Sequence, residues 1–258
     1  MRVAFLIALF WRFLCSYCYT SEDERIVTLL PKVELHAHLH GSIRMATIKE
    51  LAASRNLQLD TSAELSLEQC FKLFGMVHKV VNTLEVVKRI TSEVLADYMA
   101  ENTIYLELRT TPRTLADGST PEMYVEMLVG LIEEHNIRFG DVMLVKLILS
   151  IDRASRFKDA VVISELAGDY RFISNTTEYP VKTIVGLDFS GNPTGGKFED
   201  FSPLFDTARD RGLGITLHTA EVSALSDSAD NTTDDDTQSI LNFRYFFFLA
   251  WFGDSNVV

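Results

Sequence analysis

Two kinds of hydrophobic spacing alternate along the chain. Strand-like runs stand at residues 33–38, 104–109, 142–151, 183–189 and 214–217, and the run at 142–151 is nearly continuously apolar. Between them, at 45–54, 67–81, 83–102, 121–135, 155–169 and 198–211, apolar residues return every three or four positions. A run too apolar to leave one face in water predicts a buried strand, and the three-to-four spacing predicts a helix with one packed stripe. In 83–102 that stripe is Val86, Val87, Ile90, Val94 and Leu95. Pro121 suits the first turn of its helix, where a missing N–H costs nothing, and Gly212 stops the last helix. Strands alternating with helices predict a parallel sheet covered by helices, an α/β fold.

The polar residues fall in a second pattern. His36 and His38, Arg113, Asp152, Asp188, and His218 with Glu221 stand at or just beyond the ends of five successive strands. In a (β/α)8 TIM barrel those C-terminal ends converge on one mouth, where active sites are built. The first strand carries the densest chemistry, in Leu30-Pro31-Lys32-Val33-Glu34-Leu35-His36-Ala37-His38-Leu39-His40-Gly41-Ser42. On an extended strand alternate side chains point the same way. The spacing therefore predicts that His36, His38 and His40 project together before Gly41 turns the chain. Neutral imidazoles fixed on one face are ligands for a zinc-like ion, or simply a histidine-bearing strand end. His218-Thr219-Ala220-Glu221 suits a further ligand with a nearby acid/base, or an ordinary strand-to-helix turn.

Composition narrows the rest. A net charge of −12 over 258 residues excludes a nucleic-acid polymer as the main partner and leaves room for a small anion in one cationic pocket. Three cysteines make no disulfide framework, and Cys15-x-x-Cys18 lacks the strand-to-helix context of a redox motif. Residues 1–29 read as a leader or extension with a signal-like apolar core, interrupted by Arg12 and too short to span a bilayer. Asn175 and Asn231 open glycosylation acceptors that matter only in an exported chain. A cytoplasmic monomer is expected, with secretion as the alternative.

With Gly186-Leu187-Asp188-Phe189-Ser190-Gly191-Asn192-Pro193 and Leu217-His218-Thr219-Ala220-Glu221-Val222, the histidine strand resembles the adenosine/AMP deaminase family, most closely its adenosine deaminase-like branch acting on N6-methyl-AMP. The resemblance covers residues 30–244 and implies a metal-dependent hydrolase barrel. It implies one Zn2+ per site, with His36, His38 and His218 as ligands and Glu221 as proton donor to the purine ring. Gly186 would present its backbone to the base. His38, His40, His78, Thr110, Thr111, Pro112, Arg113 and Asp152 match positions lining the nucleotide pocket. Arg113 and His78 are the candidates for the phosphate by charge. The expected reaction is hydrolysis of N6-methyl-AMP to IMP and methylamine, a step of purine salvage. Adenosine and AMP are alternative substrates.

Departures from the family pattern are also legible. His40 stands where many relatives have asparagine. Only five strands of eight are expected, which leaves the edges of the first and fifth unpaired. No histidine follows His218, so the Gly-His-Gly turn is missing, as is the Asp-Asp pair of the eighth strand. The run 234–236 is too near Glu221 to be that pair and reads as a solvated loop. Residues 245–258 form an apolar tail without resemblance. These departures make a truncated, non-catalytic isoform one alternative reading, and a barrel hydrolase of another substrate class a second.

Overall fold

The computed structural model describes residues 26–57, 67–169, 173–174, 181–193, 195–219, 239–240, 243 and 247–250. Cys15, Cys18, Asn175, Asn231, Glu221 and the acidic run 234–236 lie outside the described residues. The chain divides into two compact units, residues 1–146 and 147–258.

The first unit runs β1 (Lys32–His38), a 3-10 turn (Leu39–Gly41), α1 (Met45–Ala53), α2 (Leu67–Val80), α3 (Leu84–Ala100), β2 (Thr103–Thr110) and α4 (Pro121–Phe139). Thr83 and Thr120 cap α3 and α4 by accepting from the backbone N–H groups of Val86 and Met123. The α3 stripe buries Val87, Ile90, Val94 and Leu95, while Val86 stands at its margin. Leu106 and Leu108 of β2 and Tyr124, Val125, Leu128 and Ile132 of α4 are fully buried. α4 continues past the expected residue 135 because its last turns are tied to the strand that follows. His135 bonds the carbonyl of Met143, and the Asn136 amide both donates to and accepts from the backbone of Val145.

β1 and β2 are parallel, but their register slips twice. Near the start, one step along β1 spans two along β2; between Glu34 and Ala37, three steps on β1 face two on β2. The second slip is a bulge that sets an extra residue at Leu35–His36. Its loosened backbone groups find side chains: the Leu35 carbonyl accepts from Arg109 at 2.6 Å, and the His36 N–H donates to the Glu34 carboxylate at 2.7 Å. Arg109 is 1 % exposed, so this guanidinium is part of the fold.

The second unit takes up β3 (Leu144–Asp152), within which the boundary falls, and continues with α5 (Phe157–Ala167), the short antiparallel pair β4 (Ile173–Ser174) and β5 (Val181–Lys182), and β6 (Ile184–Ser190). A 3-10 turn (Phe198–Asp200), α6 (Ser202–Asp210), β7 (Gly214–Thr219) and β8 (Phe247–Ala250) complete it. The single helix expected over 198–211 is broken because Pro203 starts a new one and cannot continue an old one. Phe189 lies at the centre of an aromatic cluster, with the rings of Phe198, Phe201 and Phe205 at 5.4, 5.4 and 5.8 Å.

β3, β6, β7 and β8 lie side by side in that order, with β6 parallel to both β3 and β7. The expected open edge on the fifth strand is corrected here. β7 is paired in parallel by β8, from Thr216 opposite Phe247 to Thr219 opposite Ala250. Residues 247–250 thus pair with the ladder groups of β7, which an open edge would leave exposed. The five expected strands, β1, β2, β3, β6 and β7, are all present, and the fold is α/β of the TIM-barrel type with part of the barrel's strands. No helix among the described residues is long and apolar enough to cross a membrane.

Candidate functional site

In the first unit the three histidines of the opening strand divide. His36 and His38 remain together at the end of β1, with their Nε2 atoms 3.2 Å apart and ring centroids 5.2 Å apart. Two imidazole nitrogens this close must share either a proton or an ion, and neutral histidine nitrogens are ligands of choice for zinc. His40 does not join them, a correction to the expected alternation. The strand ends at His38, and His40 falls in the 3-10 turn, buried, with its ring edge-on to His78 at 4.9 Å.

His40 accepts from the Arg113 guanidinium at 3.3 Å, and the same nitrogen of Arg113 donates to the Val81 carbonyl at 2.8 Å. The other terminal nitrogen of Arg113 is buried with no hydrogen-bond partner among the described residues. Burial, then the charges of Arg113, His78 and His38, hold the His40 pKa well below the ordinary value. Burial and Arg113 together bring His78 down to about 4. Both rings are therefore neutral near pH 7, and the positive charge of this cluster is that of Arg113 alone. That amends the expectation that His78 contributes charge. Thr110 is buried and pairs its hydroxyl with that of Tyr124 at 2.7 Å, while Thr111, Pro112 and Arg113 carry the chain away from β2.

The histidine cluster has a consequence for acid stability. The His78 pKa is depressed on folding, so between 6.5 and about 4 the unfolded chain binds more protons than the folded one. The stability this contributes is present above about pH 6.5 and is lost as pH falls towards 4. The melting temperature is expected to drop between about pH 7.5 and pH 5, and H78Q to flatten that drop. An equal drop in H78Q would place the acid sensitivity elsewhere.

In the second unit, Asp152 ends β3, and its carboxylate accepts from the N–H of Ala154 at 2.7 Å. Gly191, at φ 107°, passes so close that a Cβ there would lie 2.7 Å from that carboxylate oxygen. Gly186 sits opposite Gly214 in the β6–β7 ladder, and a Cβ on it would meet the Gly214 carbonyl at 2.9 Å. Only glycine fits this approach. His218, on β7, has its Nδ1 3.1 Å from the Phe189 carbonyl and 3.2 Å from the Asp188 carboxylate. The His218 carbonyl accepts from Arg153 at 2.6 Å, and the Arg153 guanidinium lies 4.6 Å from the centre of the Phe189 ring.

Asp188, fully buried, accepts from Ser150 at 2.9 Å and from Thr216 at 2.6 Å. Sequence reasoning noted this aspartate at a strand end but assigned it no part. The signal was an acid inside an apolar strand, Ile184-Val185-Gly186-Leu187-Asp188-Phe189, with a hydroxyl residue in each flanking strand. Arg109 and Arg153 carry no such signal, because a cation in a strand or turn looks the same in sequence whether buried or solvated.

The adenosine deaminase family profile matches residues 31–235. A Xenopus laevis protein named N6-Methyl-AMP deaminase-L is 35 % identical over 209 residues, covering 78 % of this chain and 58 % of its own length. An Arabidopsis thaliana N6-mAMP deaminase is 38 % identical over 224 residues, covering 75 % of this chain and 61 % of its own. The crystal structure of Arabidopsis ADAL complexed with IMP superposes with a TM-score of 0.69 at 34 % identity, over 85 % of this chain and 64 % of that one. The chain thus spans about three fifths of the length of the relatives it matches.

Proposed function

This chain belongs to the adenosine deaminase family, and from that premise we propose that it acts on a 6-aminopurine nucleotide, N6-methyl-AMP, giving IMP and methylamine. The observation that carries the reading is the His36–His38 pair, two ring nitrogens 3.2 Å apart on one strand end, in a chain similar to N6-methyl-AMP deaminases. The donor set suits zinc: three imidazoles, His36 and His38 from β1 and His218 from β7, in the family's order. When bound, zinc supplies a Lewis acid that brings the ionisation of water to about neutral pH.

The remaining work falls to the chain's own groups. Glu221 carries a proton to the purine ring as the amine departs. Arg113 holds the phosphate, because it is the cation of its cluster and has a buried nitrogen without a partner among the described residues. His40 and His78 contribute hydrogen bonds there and no charge at neutral pH. The protein so described is a cytoplasmic monomer.

Incubation with N6-methyl-AMP, AMP and adenosine in the presence of zinc, followed by purine absorbance, tests the reading. Turnover of N6-methyl-AMP in preference to the others supports it, and no turnover of any of the three ends it. R113M is expected to raise KM for N6-methyl-AMP by roughly ten- to a hundredfold, the worth of a charge-assisted hydrogen bond, and to leave adenosine unaffected. Equal losses on nucleotide and nucleoside would remove Arg113 from phosphate recognition.

A further inference from the structure

We propose that Asp188 is a positioning residue for His218, fixing which ring nitrogen carries the proton and so which one faces a metal. The inference rests on the reading of His218 as a zinc ligand.

The carboxylate sits at a level of the sheet where three polar side chains line up. Ser150 on β3 is opposite Asp188 on β6, and Asp188 is opposite Thr216 on β7. A fully buried carboxylate is costly unless hydrogen bonds compensate it. Here Ser150 donates to one oxygen, while Thr216 donates to the other at 2.6 Å. Those donors settle the carboxylate, and the oxygen that takes Thr216 also faces Nδ1 of His218 at 3.2 Å.

The second neighbour of that nitrogen is the Phe189 carbonyl, at 3.1 Å. Both neighbours are oxygens that accept, so Nδ1 must carry hydrogen; the other tautomer would set its lone pair against two oxygens. A neutral imidazole protonated on Nδ1 carries its lone pair on Nε2. The backbone of the same residue is held as well, by Arg153 on the His218 carbonyl at 2.6 Å. Ring orientation, tautomer and main chain are thus fixed together. A carboxylate on the far nitrogen of a ligating histidine also raises the basicity of the near one.

Two measurements on the whole chain decide the matter, and neither uses activity. Nitrogen-15 spectra of the metal-free protein at about pH 8, where imidazole is neutral, report the tautomer of His218. Protonation on Nδ1 is expected; protonation on Nε2 overturns the proposal. Zinc affinity by competition with a chelator is expected to fall roughly ten- to a hundredfold in D188N. The His218 signal should move at the same time towards a mixture of tautomers. Unchanged affinity with an unchanged tautomer in D188N overturns the proposal. Should D188N not fold, S150A and T216V each remove one donor and leave the charge, and a shift of the His218 signal in either supports it, while none in both overturns it. If the unsubstituted chain takes up no zinc, the zinc reading fails by itself, and the tautomer alone decides for or against Asp188.

Discussion

Glu221→Gln is expected to lower the rate of N6-methyl-AMP deamination by roughly 10²–10⁴-fold, the usual contribution of a general acid or base, while bound zinc stays in place. The substitution keeps the shape of the side chain and removes its ability to pass a proton. His218→Ala is expected to behave differently. It removes a ligand, so metal content should fall with activity, since a site of a few nitrogen donors tolerates the loss of one poorly. Melting temperature, zinc content and rate, measured on both variants, separate these effects. If both residues only close a strand-to-helix turn, both variants would lose stability and rate together. E221Q with near-normal turnover would take Glu221 out of the mechanism and leave the reading resting on the histidines.

The largest effect on the fold is expected at Phe189. Its ring is fully buried, contacts the rings of Phe198, Phe201 and Phe205, and has the Arg153 guanidinium at 4.6 Å. Phe189→Ala removes that surface and opens a cavity among side chains that cannot all collapse into it, at a cost of about 3–5 kcal/mol. It also deprives Arg153 of the face it rests on. Denaturant unfolding monitored by far-UV circular dichroism measures the loss. A change below about 1 kcal/mol would mean that the neighbouring rings close the gap, as overlapping aromatic clusters sometimes do.

The sequence made β3 and β6 legible because burial on both faces leaves a nearly unbroken apolar mark in composition, while β1, β2 and β7 were legible by the polar residues that end them. Helix starts were legible at Thr83 and at Pro121, but not at Pro203, which splits the helix expected over 198–211. α4 overran its expected end because Asn136 and His135 bond forward to Val145 and Met143, and such a tie has no periodicity. At the site, spacing paired His36 with His38 but wrongly carried His40 along. A period-two argument holds only while the strand lasts, and here a 3-10 turn begins one residue after His38. Asp188 escaped assignment for another reason: its donors, Ser150 and Thr216, are 38 and 28 residues away and meet it only through strand register.

The two register slips between β1 and β2 cancel, so that Lys32 to His38 and Thr103 to Arg109 each advance six residues. The strands leave the sheet in the phase in which they entered, and nothing packed beyond either end senses the surplus residue. The surplus residue is absorbed locally at Leu35–His36, while the pairing at both ends of the strand keeps its phase. Deleting a single residue at 35 or 36 would not restore a regular strand. It would leave the slip at the start of β2 uncompensated and turn the side chains that follow to the opposite face. The length of this short segment is therefore under tighter constraint than its composition, and point substitutions at Leu35, which is exposed, should be tolerated where a deletion is not.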